Sequence, residues 1–187
     1  LKGGILPSTK QKAMRKFRIA ALGVVAFSAL AFNTFNTQWK VDETNYSVKF
    51  STAKFDGIFK GLKTNIVFDE NNPSAARIEA SIDAESINTG NGLRNKHARQ
   101  GLETSKYPQI RFVSTSVSGR AGQFETTGKL TIKEVTKEIR FPFQFVRKSS
   151  TEGLFTGKFS IKPADYNVKK SGTPEEFTIQ LNIPVKQ

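Results

Sequence analysis

The stretch "EIRFPFQFVRK", residues 138–148, sets Ile139, Phe141, Phe143 and Phe145 at every second position, with Arg140, Pro142 and Gln144 between them. Alternation at period two marks a strand, because successive side chains of a strand point to opposite faces. Three phenylalanines on one face of one strand either fill a core or line a pocket. The same period recurs outward from this stretch, over the chain from Trp39 onward. Tyr46, Val48 and Phe50 alternate with Ser47, Lys49 and Ser51, and Leu62, Ile66 and Phe68 with Lys63, Asn65 and Val67. Ile78 to Ile82, Ile110 with Phe112, Phe124 to Ile132, Phe155 to Ile161 and Phe177 to Val185 continue it, so that eight strands are predicted.

Turn-rich segments separate them: "DENNPS" at 69–74, "SGRAGQ" at 118–123, "SSTEG" at 149–153 and "KSGTPE" at 170–175. Strands joined in this way favour an antiparallel meander. Residues 88–108, "NTGNGLRNKHARQGLETSKYP", do not alternate and predict one short helix, around Leu93 to Gly101, crossing an end of the sheet. Eight amphipathic strands must each hide one face. Closure into an eight-stranded antiparallel barrel does so and removes exposed edges, and a two-sheet sandwich is the competing all-β fold. Of the twelve phenylalanines after residue 36, ten fall on the apolar faces. Thr64, Ala80, Ala84, Ser114, Ser116, Thr126, Gly128 and Gly157 share those faces. Small residues opposite large rings are either ordinary packing or the hollow of a pocket, and both readings stand.

The 187-residue chain has a formal charge of +13, but six of its 29 Lys and Arg lie in residues 1–31, which hold no acid. The remaining 23 basic residues against 16 acidic ones leave +7, a mildly basic surface. The only methionine, Met14, opens a basic segment followed by the apolar run Ile19 to Phe32, and "ALA" at 29–31 supplies small residues for a peptidase. That is the layout of a secretory signal peptide. Its apolar run falls short of the roughly 20 residues of a spanning helix, although an uncleaved anchor is the competing reading. Residues 1–13 read as upstream sequence, 14–31 as the signal, 32–38 as a polar lead and 39–187 as one domain, periplasmic or secreted after cleavage near Ala31. With no cysteine in the chain, a disulfide framework, a thiol nucleophile and a cysteine-anchored lipoprotein are excluded.

Reacting groups are scarce. His97 is the only histidine, and the sequence holds no nucleophile elbow, Gly-rich phosphate loop or metal-ligand cluster. Asp83 with Glu85 reads as a solvated pair, and Ser86 has no neighbouring base in sequence. No catalytic residue, metal or cofactor is expected. Outward Lys and Arg (Lys49, Lys63, Lys129, Lys133, Arg140, Lys158) suggest a basic interaction surface as an alternative function. They are interspersed with Glu79, Glu125 and Glu138, however, and the aromatics that base stacking needs point inward, so no nucleic acid is expected.

Five stretches in order resemble the YceI-like family of exported lipid-binding proteins: "WKVDETNYSVKFS", "SINTGNGLRNKHA", "KYPQIRFVST", "GKLTIKEVTKEIRFPFQF" and "IKPADYNV". The resemblance runs from Trp39 to about Ile183. It implies a lipocalin-like eight-stranded barrel whose apolar pore holds a polyisoprenoid or another long-chain amphiphile, with transient membrane contact and a homodimer both left open. Phe50, Leu62, Phe112, Phe141, Phe143, Phe145, Phe155 and Phe159 are then expected to line the pore. Arg94 and His97, which match the family pattern, would meet the head group, and Leu102 and Tyr107 would cover the apolar neck beneath it. The bland alternative for Arg94 is a tie to the barrel rim through a carboxylate. Tyr46, Glu134 and Asn167 depart from the family's usual His, Gly and Gly, and "ARQGLETSKYP" is shorter than the family's segment and lacks its paired aromatics.

Overall fold

The computed structural model describes residues 37–170 and 172–187; the export signal and upstream segment read from residues 1–31 lie outside the described residues, as does most of the polar lead. Nine strands follow in order: β1 (Gln38–Val41), β2 (Ser47–Ser51), β3 (Asp56–Val67), β4 (Arg77–Asn88), β5 (Gln109–Arg120), β6 (Gln123–Ile132), β7 (Val135–Arg147), β8 (Glu152–Ile161) and β9 (Phe177–Lys186). One α-helix, α1 (Gly92–Leu102), joins β4 to β5, and the helix predicted over Leu93 to Gly101 lies within it. β4 to β9 form an antiparallel meander, and β3 closes the ring by pairing with β4 on one side and β2 on the other. β1 and β2 share a single place in that ring. Gln38 and Trp39 pair with β3, Lys40 and Val41 cross to β9, and β2 then lies between the same two neighbours. Nine segments therefore make an eight-stranded closed barrel, without the open edge of a sandwich. In the turn that divides β1 from β2, the Asp42 carboxylate accepts from Thr44 N and Asn45 Nδ2, both at 3.1 Å. The Asn45 amide, the Thr44 N–H and the nearby Lys186 hold its carboxyl below the usual range.

The alternation slips in three strands, with consequences for what faces inward. In β3 the pairing with β4 jumps on either side of Lys60, and Gly61 takes the left-handed φ of 69°. Before the slip Gly57 is buried and Phe59 packs on the core; after it Leu62, Thr64 and Ile66 face in. Side chains repair the ladder there: Ser86 Oγ accepts from Lys60 N at 2.8 Å, and Tyr46 Oη accepts from Leu62 N at 3.1 Å. β4 slips in step, so that Ala84 and then Ile87 are buried. In β5 the break falls between Ser114 and Ser116, which corrects one assignment: Ser116 is exposed, and Val117 is buried in its place.

One end of the barrel is packed solid. Trp39, 1% exposed, donates its indole N–H to Phe68 O at 3.0 Å and meets Phe145 edge-on at 5.3 Å between ring centres. Phe68 touches four other rings, those of Phe124, Phe143, Phe145 and Phe155, at 5.0–5.9 Å. Three glycines, one at this end and two higher in the barrel, let rings lie close against the sheet. A Cβ at Gly57, Gly128 or Gly153 would come under 3.0 Å from ring carbons of Phe50, Phe112 and Phe145 respectively, so these glycines are the seats of rings.

Candidate functional site

Above the packed end, the barrel walls and α1 enclose a cavity of about 620 Å³. Phe143, Phe155, Ile66 and Ile183 lie at its floor, next to the aromatic cluster; Phe50, Phe112, Phe141 and Phe159 form its walls. Phe141 stacks on Phe159 at 4.3 Å and tilts against Phe112 at 5.4 Å. Of the small residues on the apolar faces, Thr64, Ala80, Thr126 and Gly157 line this space. Thr126 is buried, and its hydroxyl donates to Ser116 O at 3.2 Å, so it is satisfied within the wall.

The mouth is framed by α1 and by the loop between β8 and β9. Asn91 caps the helix by accepting from Arg94 N at 2.9 Å, and Glu103 ends it at a left-handed φ of 51°. Residues four apart share a helix face, and here two adjacent rows, Leu93/His97/Gly101 and Arg94/Ala98/Leu102, look into the cavity. Leu93, 65% exposed, lies on the lip. From the β8–β9 loop come Val168, Lys170, Thr173 and Pro174.

The outer side of α1 is moored from both directions. Asn95 Oδ1 accepts from Thr89 N and Thr89 Oγ1, each at 2.8 Å, and Arg99 Nε reaches Glu85 O at 2.9 Å and Glu85 Oε1 at 3.2 Å. Opposite, Lys170 Nζ donates to the Gln100 side chain, and Lys133 Nζ pairs with Glu103 while donating to Asn167 O at 3.2 Å. The carboxyl of Glu134, in the β6–β7 turn, is held below its ordinary value by its own backbone N–H and by the Asn167 amide, with Tyr107 and Lys133 adding to the effect.

Ten of the twelve residues read from the sequence line this cavity: Phe50, Leu62, Phe112, Phe141, Phe143, Phe155, Phe159, Arg94, His97 and Leu102. Two lie elsewhere. Phe145, 2% exposed, belongs to the packed end, where Trp39, Phe68 and Phe155 surround it. Tyr107 sits on the outer rim, where its phenol meets the Glu134 carboxylate and Lys106. Arg94 makes no carboxylate pair among the described residues; its guanidinium carbon stands 4.4 Å from the Phe55 ring centre. The rim tie falls to Arg99 instead. Phe55, Phe59 and Leu93 are lining residues that the alternation pattern did not single out. Gly61 inside a strand pattern was the available signal of the slip that turns Phe59 inward. The ionisable residues on the lining are Arg94, His97, Arg111 and Lys170; no carboxylate is among them.

Ser86, which has no neighbouring base in sequence, has its Oγ engaged by Lys60 N, by Lys60 O at 3.1 Å and by Asp83 O at 2.6 Å. Its role is to mend the β3–β4 ladder.

Among solved structures, BcnA of Burkholderia cenocepacia superposes with a TM-score of 0.70 at 23% identity, covering 78% of this chain and 99% of that one. A domain from Saccharophagus degradans, described as polyisoprenoid binding and implicated in plant cell wall breakdown, superposes at 0.64 with 17% identity, covering 79% and 97%. Both share the barrel fold. Protein YceI of Escherichia coli O157:H7 is 31% identical over 156 residues, 79% of this chain and 78% of that protein. The YceI-like domain family matches residues 39–185. By fold, by sequence and by the span of that match, the chain belongs to the YceI-like family.

Proposed function

We propose that the protein is an exported lipid carrier, which sequesters a polyisoprenoid or another long-chain amphiphile in the barrel with the tail toward the aromatic floor and the head at the α1 mouth. The observation that carries this reading is the cavity of about 620 Å³, walled by aromatic and aliphatic side chains and bearing ionisable groups that are all basic. Export rests on the signal-like sequence between Met14 and Ala31. The polyisoprenoid-binding description of a relative in fold points the same way.

Such a carrier needs apolar area and an entrance, and no reacting group. At about 0.8 kcal/mol per buried methylene, roughly twenty chain carbons contribute on the order of 16 kcal/mol, against the roughly 4–15 kcal/mol that association costs. The basic mouth suits an anionic or amide head. In the double variant Arg94→Ala/His97→Ala, retention of a bound fatty acid should fall about tenfold, as for a lost charge-assisted contact, at an unchanged melting temperature. Retention unchanged in the folded variant would remove these two residues from the site, and wild-type protein that retains no amphiphile would refute the carrier reading.

A further inference from the structure

The two ends of the barrel differ in charge. The mouth is built from the connections β2–β3 (52–55), β4–β5 (89–108), β6–β7 (133–134) and β8–β9 (162–176). With the first and last residues of the strands at that end, these carry nine basic side chains against six acidic. The closed end, with the connections 42–46, 68–76, 121–122 and 148–151, carries five of each when counted in the same way. Two of the acids at the mouth are already engaged, Glu103 by Lys133 and Asp165 by Lys137 at 3.7 Å. Lys54, Lys96, Lys162 and Lys169 are exposed and make no ion pair among the described residues.

An apolar tip stands among these cations. Of the three large hydrophobic side chains exposed among the described residues, Leu93 is the most open, at 65%, and it alone is at the mouth. A lone exposed leucine needs no explanation, but this one continues the cavity wall, which it lines beside Phe55, Pro174 and Phe177. The residue after it, Arg94, lays its guanidinium carbon 4.4 Å from the Phe55 ring centre. That contact holds the first turn of α1 against the β2–β3 turn, whose Ala53 and Lys54 are exposed. Lys54 and Lys96 therefore flank the lip that carries Leu93. An apolar tip within a basic rim suits the surface of an anionic bilayer, where acyl chains lie beneath phosphates. An acidic protein surface would satisfy the lysines and leave Leu93 and the cavity opening against polar groups.

We propose that the mouth end is a docking surface for anionic phospholipid bilayers. Leu93 enters the headgroup layer, Lys54 and Lys96 meet lipid phosphates with Lys162 and Lys169 of the β8–β9 loop, and the cavity opens onto the membrane. The closed end, with no surplus of positive charge, faces away. Docking needs no resident lipid, so this inference stands or falls apart from the carrier reading.

The chain has no cysteine, so one introduced thiol places a label at a chosen point. Leu93→Cys and Ala53→Cys at the lip, and Lys148→Cys at the closed end, are each labelled with the fluorophore NBD in the whole chain. Quenching by doxyl-labelled lipid is read on vesicles of phosphatidylcholine alone and of phosphatidylcholine with phosphatidylglycerol. On the anionic vesicles a lip label should be quenched and the label at 148 should not; on neutral vesicles neither should be. Each lysine near an anionic surface contributes about fivefold in partition. In the lip-labelled chain, Lys54→Gln/Lys96→Gln should therefore raise the lipid concentration for half quenching about twentyfold, at an unchanged melting temperature, and added salt should act in the same direction. No quenching at either lip position, equal quenching at 148, quenching indifferent to lipid charge, or an unmoved half-point in the folded double variant would each overturn the docking surface.

Discussion

Phe143 and Phe145 stand two residues apart on the same face of β7, and their surroundings differ. Phe145 is closed in by Trp39, Phe68 and Phe155, whereas Phe143 has the cavity on one side and Phe68 and Phe124 on the other. Truncating Phe145 should leave a void that cannot relax, so Phe145→Ala should cost about 3–5 kcal/mol, and Phe143→Ala less, because its ring already borders open space. Urea unfolding midpoints decide between them, and equal losses would place both in one core. Phe143→Asp would bury an unpaired carboxylate at a cost of several kcal/mol, while Gln144→Asp on the exposed face should stay within about 0.5 kcal/mol. Similar melting temperatures for those two variants would mean that the faces are reversed. A separate residue effect sits in the β5–β6 turn, where Ala121 and Gly122 both take positive φ, 53° and 79°. A two-residue turn of that kind favours Asn-Gly, so Ala121→Asn should stabilise by about 1 kcal/mol. An unchanged or lower midpoint would contradict this.

At the scale of elements, most of what the alternation announced is present. Each of the eight predicted strands is present, because amphipathic strands need nothing beyond their own period to be recognised. Gly61 marked the place of the slip in β3, but its consequence, and the slips in β4 and β5, were not legible, since the phase after a bulge depends on a partner strand far away in sequence: Ser86 mends a gap that opens at Lys60. Phe59 was not singled out for that reason, and Ser116 was placed on the wrong face for the same reason in β5. The helix was legible as a break in period, and its inward face follows from four-residue spacing once its axis is placed. Its moorings were not, because Lys170 and Lys133 come from distant loops. The turn carrying Glu134 should be acid-sensitive. Its folded pKa is depressed, so the stability it contributes is present above its unfolded value and is lost as pH falls through the lower folded one. Glu134→Gln should therefore lose less stability than the wild type between neutral and acid pH; an identical pH profile would contradict the role assigned to this carboxylate.

Over the whole molecule, the question raised by three phenylalanines on one strand resolves into a division of the interior. Gly128 and Gly157 look alike in sequence, as small residues on an apolar face, yet one seats the Phe112 ring and the other borders the hollow. Only the register around the closed barrel tells them apart, which is why composition left core and pocket undecided. The described strands form one continuous ring, so residues 37–187 alone should give a β-type circular dichroism spectrum and a cooperative melt, and a helical or non-cooperative product would contradict that. On the function proposed above, the hollow half of this ring holds a lipid chain. Mass spectrometry of an organic extract of the purified, folded protein tests it most directly. One amphiphile at close to one per chain is the expected result; a folded protein whose extract matches a blank, and which takes up no amphiphile from lipid vesicles, would contradict it.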